Sequence, residues 1–150
     1  KNKILKPLTL KVSPDIADSE IGNIIESIKR YNIQAIIISN TTDKNRENLT
    51  GVNKNENGGL SGEPLNKISN RLIKKFYKEI KGKISIIGVG GVNSGLTAYE
   101  KLKSGAHLLQ LYTGMVYEGP GIVKKIKAEL IDILRKEKIK NVSEIVGTGS

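Results

Sequence analysis

At 150 residues the chain can form one domain with a real core, yet it is too short for a complete eight-stranded (β/α) barrel, which takes about 250. It has no cysteine, which excludes disulfides, thiolate metal sites and a cysteine nucleophile here, and no apolar run approaches the ~20 residues of a membrane span. The net charge of +10 would suit nucleic acid, an anionic membrane face or a phosphorylated ligand, but the lysines are dispersed over expected helix faces and the few aromatics do not interleave with them as a base-stacking surface requires.

Strands and helices alternate along the chain. Residues 8–12 (Leu-Thr-Leu-Lys-Val) read as a strand stopped by Pro14. Ile21, Ile24, Ile25 and Ile28 recur at helical spacing, with Asp18 or Ser19 as the expected cap. Residues 35–39 form a continuous apolar run, as expected of a parallel strand buried on both faces. Residues 40–64 are a polar loop rich in Asn and Gly, long enough to be functional or mobile. Ile68, Leu72, Ile73 and Phe76 mark a second helix ending near Gly82, and residues 84–87 a third strand. A short helix over 95–104 has Asn93 or Ser94 as its candidate cap, and residues 107–111 are the fourth strand. Ile122, Val123, Ile126, Leu130, Ile133 and Leu134 line a last amphipathic helix. The expected fold is α/β: four βα units, half of a (β/α)8 TIM barrel, in one segment over 1–150 without internal boundary or repeat.

In a barrel, functional groups sit where strands end and loops begin. Lys11 stands in an apolar strand near such an end; alone it reads best as an edge lysine in solvent, but an anion or polar site would also explain it. Ser39-Asn40-Thr41-Thr42 places four hydrogen-bonding side chains after the second strand, either as a turn or as a grip on a flat amide-like ligand edge. Gly58-Gly59-Leu60-Ser61-Gly62 permits close backbone approach. Gly88-Val89-Gly90-Gly91, followed by a helix beginning near Ser94, is expected to offer free N–H groups and a helix dipole to an anion. It is not the dinucleotide fingerprint, because position 93 is Asn. Tyr112-Thr113-Gly114 adds two hydroxyls at the neighbouring strand end, while His107 starts that strand at the opposite end and reads as structural or solvated. No His/Asp/Glu cluster has metal spacing.

Taken together, these blocks and 10–15 (Leu-Lys-Val-Ser-Pro-Asp), in this order and spacing, resemble the membrane-associated, quinone-dependent (class 2) dihydroorotate dehydrogenases. The Gly-Gly-Leu-Ser-Gly block points to that class over the soluble one. The resemblance implies an FMN-dependent flavoprotein oxidoreductase that oxidises dihydroorotate to orotate in pyrimidine biosynthesis and passes electrons to a quinone. It implies FMN contacts for Lys11, Ser39 (where the family often has Thr), Gly62, Gly91, Tyr112 and Thr113, the last three around the phosphate. It implies that Asn40 and Thr41 hold the pyrimidine. It places the catalytic serine base, the remaining substrate asparagines and the membrane-binding helices in an N-terminal half outside these residues, so no catalytic residue is expected here, and Ser13 and Ser61 do not fill that role. The segment alone is expected to be inactive, its barrel completed by that missing half at a bacterial or mitochondrial inner membrane, with no nucleic-acid partner. Another FMN barrel oxidoreductase, or a non-catalytic phosphate-binding half-barrel, are the alternative readings.

Overall fold

The computed structural model describes residues 6–44, 46–47 and 49–150; Asn45 and Asn48 of the long loop lie outside the described residues. Strands β1 (Thr9–Val12), β2 (Ala35–Ile38), β3 (Ser85–Val89) and β4 (Leu108–Gln110) alternate with helices α1 (Ile21–Arg30), α2 (Leu65–Ile80) and α3 (Gly95–Lys103). The strands form one parallel sheet in the order β1-β2-β3-β4, with Lys11, Ile37 and Ile87 in register across it and Leu108 beyond. This sequential order has no reversal. Right-handed crossovers then put every helix on the same side of the sheet, as in a closed barrel and unlike a doubly wound sheet.

Period-two alternation sorts each strand's side chains. Val12, Ile36, Ile38 and Ile86 face the helices and meet Ile21, Ile25 and Ile28 of α1 and Leu72, Ile73 and Phe76 of α2 in the main core. Among the described residues the other face carries no helix: Thr9 and Lys11 are exposed on β1, and Leu108 is 60% exposed on β4. A continuous apolar strand such as β2 fits a sheet covered on both faces, and only one face is covered here.

Two elements differ from the expectation. Neither Asp18 nor Ser19 caps α1: residues Asp18–Glu20 form a 3-10 turn, Glu20 Oε2 accepts from the Ala17 N–H (2.8 Å), and Asp18 pairs with Lys75 of α2. A short helix α4 (Thr113–Glu118) intervenes between β4 and α5 (Ile122–Lys136), which the sequence pattern did not announce. The expected cap of α3 is Ser94, whose Oγ accepts from the Thr97 N–H (3.2 Å). A second core lies under α5, with Val92, Ala98, Ile122 and Ile126. The C-terminal turn Val142–Ile145 then packs Ile145 onto Tyr99 and Leu102.

Candidate functional site

The turn after β3 uses its glycines for different reasons. A Cβ on Gly88 would lie 2.8 Å from the Lys101 stem and 2.9 Å from the Ala106 methyl, so Gly88 makes room on the helix side. Gly90 (φ +107°) and Gly91 (φ +67°) take backbone angles that L side chains rarely adopt, and a Cβ on Gly91 would sit 2.6 Å from that of Asn66. Among the described residues, the N–H groups of Gly90, Gly91 and Val92 meet no protein acceptor, although Gly91 and Val92 are buried. Buried amides without a partner are costly, and an anion would satisfy them.

The helix that follows is a different matter. The N–H groups of Asn93 and Ser94 both donate to Thr97 Oγ1 (3.1 and 3.0 Å), and that of Gly95 donates to the Glu129 carboxylate at 2.6 Å. The expected free N-terminus of α3 is therefore largely occupied from within the protein, by a capping motif and an acidic side chain from α5. The unpartnered amides lie one step earlier, in the glycine turn itself.

That turn opens onto a cavity of about 280 Å³, lined among others by Gly62, Gly90, Gly91, Val92, Tyr112 and Thr113. Four of the expected cofactor residues thus converge from three loops. Thr113 is held in place: its hydroxyl donates to Ser61 Oγ (3.0 Å), and a Cβ on Gly62 would touch its methyl at 3.1 Å. The Tyr112 ring is 77% exposed. Glu118, on the cavity rim, is offset by Lys125 at 2.8 Å, a contact that raises the lysine's pKa. A larger hollow, about 630 Å³, lies at the amino end of the strands beside Ile33 and Ile84 and contains none of the expected site residues. In a barrel that end serves stability, so the smaller cavity is the candidate site.

The other expected residues lie outside this cavity. Lys11 is exposed on the helix-free face of the sheet. Ser39 is 3% exposed and follows a cis peptide bond; its N–H donates to Val89 O (3.3 Å) and its hydroxyl to Asn40 O (3.0 Å). Asn40 is tied to β1 by its backbone, N–H to Val12 O at 2.8 Å, which leaves its side chain exposed. Thr41 is exposed, with Gly59 pressed against it so closely that a Cβ there would lie 2.0 Å from its hydroxyl.

Sequence reasoning missed the residues that anchor this loop. Thr42 is fully buried, donates to Asp15 Oδ1 (2.6 Å) and pairs with Leu60 through two backbone hydrogen bonds (3.1 and 2.7 Å). Asp15 also accepts from the Asp43 N–H (3.1 Å). Arg46 then gathers the carbonyls of Lys54, Glu56 and Gly58. The sequence signal for the Asp15–Thr42 clamp was present only as two polar residues at successive strand ends. His107 is structural: its Nδ1 accepts from the Ile86 N–H (3.1 Å), and burial lowers its pKa.

The family model described as dihydroorotate dehydrogenase matches residues 1–134. The chain belongs to the dihydroorotate dehydrogenase family. It is 44% identical to a dihydroorotate dehydrogenase (quinone) from Trichodesmium erythraeum over 98% of this chain and 41% of that protein. It is 49% identical to one from Wigglesworthia glossinidia brevipalpis over 80% of this chain and 36% of that protein. The crystal structure of the Eimeria tenella dihydroorotate dehydrogenase in complex with ferulenol superposes with a TM-score of 0.90 at 36% identity, covering 95% of this chain and 38% of that one. The chain therefore spans about two fifths of the length of the dihydroorotate dehydrogenases it matches. Its four parallel βα units are consistent with half of that family's barrel.

Proposed function

We propose that the chain supplies the C-terminal half of an FMN-binding barrel that oxidises dihydroorotate to orotate and delivers the electrons to a quinone. One observation carries the cofactor end of this reading. Gly91 and Val92, both buried and with N–H groups that meet no acceptor among the described residues, line a cavity where Gly62, Tyr112 and Thr113 converge. A dianionic phosphate fits such a donor set, because backbone N–H groups and a hydroxyl bind it without a countercharge.

When bound, the flavin supplies the hydride acceptor for the oxidation. The chain's own residues bind and orient. Thr113, whose hydroxyl donates to Ser61 Oγ here, would turn that proton to the phosphate, and the Gly90–Val92 amides would hold the same group. Lys11, on the open sheet face, offers a fixed positive charge to a flavin ring that gains negative charge on reduction. Ser39 lines the ring's approach from the end of β2. Asn40 and Thr41 hold the pyrimidine, Asn40 through an amide whose donor and acceptor suit a planar imide edge. The proton-abstracting base comes from outside these residues. The family's quinone partner implies work at a membrane, although no helix among the described residues is long and apolar enough to cross one.

The test is the visible spectrum of the complete protein, this chain together with the rest of its barrel, and its orotate formation in the presence of dihydroorotate and a quinone. A bound flavin and quinone-dependent orotate production support the proposal. A colourless protein that binds no added FMN, or one that forms no orotate, overturns it.

A further inference from the structure

Lys101 of α3 is the one lysine among the described residues with no exposed surface, and it lies outside the site described above. Its stem crosses β3 at Gly88, the residue whose missing side chain makes the passage. Among the described residues its ammonium forms no ion pair with a carboxylate. Instead Nζ donates to Ser69 Oγ at 2.5 Å and to Asn70 Oδ1 at 2.6 Å. A lysine buried against neutral partners is expensive, and a methionine of similar volume would fill the space without that cost.

The two acceptors lead to the glycine turn. Ser69 Oγ donates to Asn66 O (3.2 Å) and Asn70 Nδ2 donates to Asn66 Oδ1 (3.2 Å). Asn66 Nδ2 in turn donates to Gly91 O at 3.1 Å. Asn66, Ser69 and Asn70 stand at i, i+3 and i+4, on one face of α2. The last link has a geometric consequence. The peptide joining Gly91 to Val92 is planar and trans, so fixing the Gly91 carbonyl toward Asn66 sends the Val92 N–H the opposite way. That N–H is one of the unpartnered donors, and Val92 lines the cavity.

We propose that Lys101, acting through Ser69, Asn70 and Asn66, is a positioning residue that orients the Gly91–Val92 peptide for the cofactor's phosphate. The inference rests on the phosphate reading of the cavity and adds to it the buried polar network that sets the donor's direction. Lys101 holds the acceptors, the acceptors hold the Asn66 amide in one rotamer, and Asn66 holds the turn. No member of the network except the turn touches the ligand.

The test uses the complete flavoprotein stripped of its flavin, titrated with FMN and with riboflavin, which lacks the phosphate. Asn66→Ala and Lys101→Met are each expected to weaken FMN binding about tenfold while changing riboflavin binding less than about twofold, the scale of one buried hydrogen bond. The double variant is expected to lose little beyond the worse single variant, because both act on one network. If Lys101→Met does not fold, Ser69→Ala removes one acceptor, keeps the lysine stem in place and is read the same way. Equal weakening of both flavins, an unchanged FMN affinity, or full additivity overturns the positioning role. A wild-type protein with no preference for FMN over riboflavin overturns the phosphate reading and this proposal together.

Discussion

At the scale of single residues, the glycine cluster divides its labour. Gly88 accommodates a buried lysine stem, whereas Gly90 and Gly91 bend the chain past the first turn of α2. Gly88→Ala is expected to destabilise the protein by about 1–3 kcal/mol, the usual penalty of overpacking, and a urea titration measures it. Substitution of Gly91 would strike Asn66 before it reached any ligand, so Thr113→Val is the cleaner probe of the phosphate site. It is expected to weaken FMN binding about tenfold, with riboflavin binding little changed. Lys101 adds a pH dependence. Burial pushes its pKa down to about 7 from 10.5, against a weaker upward pull from Glu100. Between those two values the unfolded chain holds more protons than the folded one, so stability rises with pH across that window. Tyr99 acts in the opposite direction only above pH 10, because its hydrogen bond to Glu137 pushes its pKa up to about 12. Urea midpoints measured from pH 7 to just below 10 are expected to increase, and Lys101→Met is expected to flatten the increase.

At the scale of elements, local chemistry was legible where it was self-contained. The four strands follow from their apolar runs, and Ser94 caps α3 because a hydroxyl before a helical pattern satisfies an N–H that nothing else reaches. Ser94→Ala is expected to cost about 1 kcal/mol in a denaturant titration. What the sequence could not display was contact between distant elements. The Glu129 carboxylate at the Gly95 N–H comes from a residue 34 positions away and turns an apparent anion site into a closed helix end. The cap expected at Asp18 or Ser19 failed for a similar reason: Asp18 is drawn to Lys75 of α2, and a 3-10 turn makes the entry instead. Helix α4 is only six residues long, too short for any periodicity to mark it. The convergence of Gly62, Gly91 and Thr113 on one cavity was available to sequence only as three separate small-residue turns.

At the scale of the whole molecule, the sheet is covered on one face and open on the other. Among the described residues its outer strands β1 and β4 each have an unpaired edge, which a closed barrel would remove. Lys11, Ile37, Ile87 and Leu108 span the open face in one row, where a barrel interior packs its layers. On the proposed function, this 150-residue chain by itself forms no orotate from dihydroorotate, since the base and the facing barrel wall lie outside it; orotate production by the isolated chain would refute that. A crystal structure of the complete protein with FMN shows directly where the cofactor's phosphate sits. Phosphate oxygens are expected within hydrogen-bond distance of the Gly91 and Val92 amides and the Thr113 hydroxyl. A phosphate bound elsewhere, with those amides met by protein groups, would contradict this.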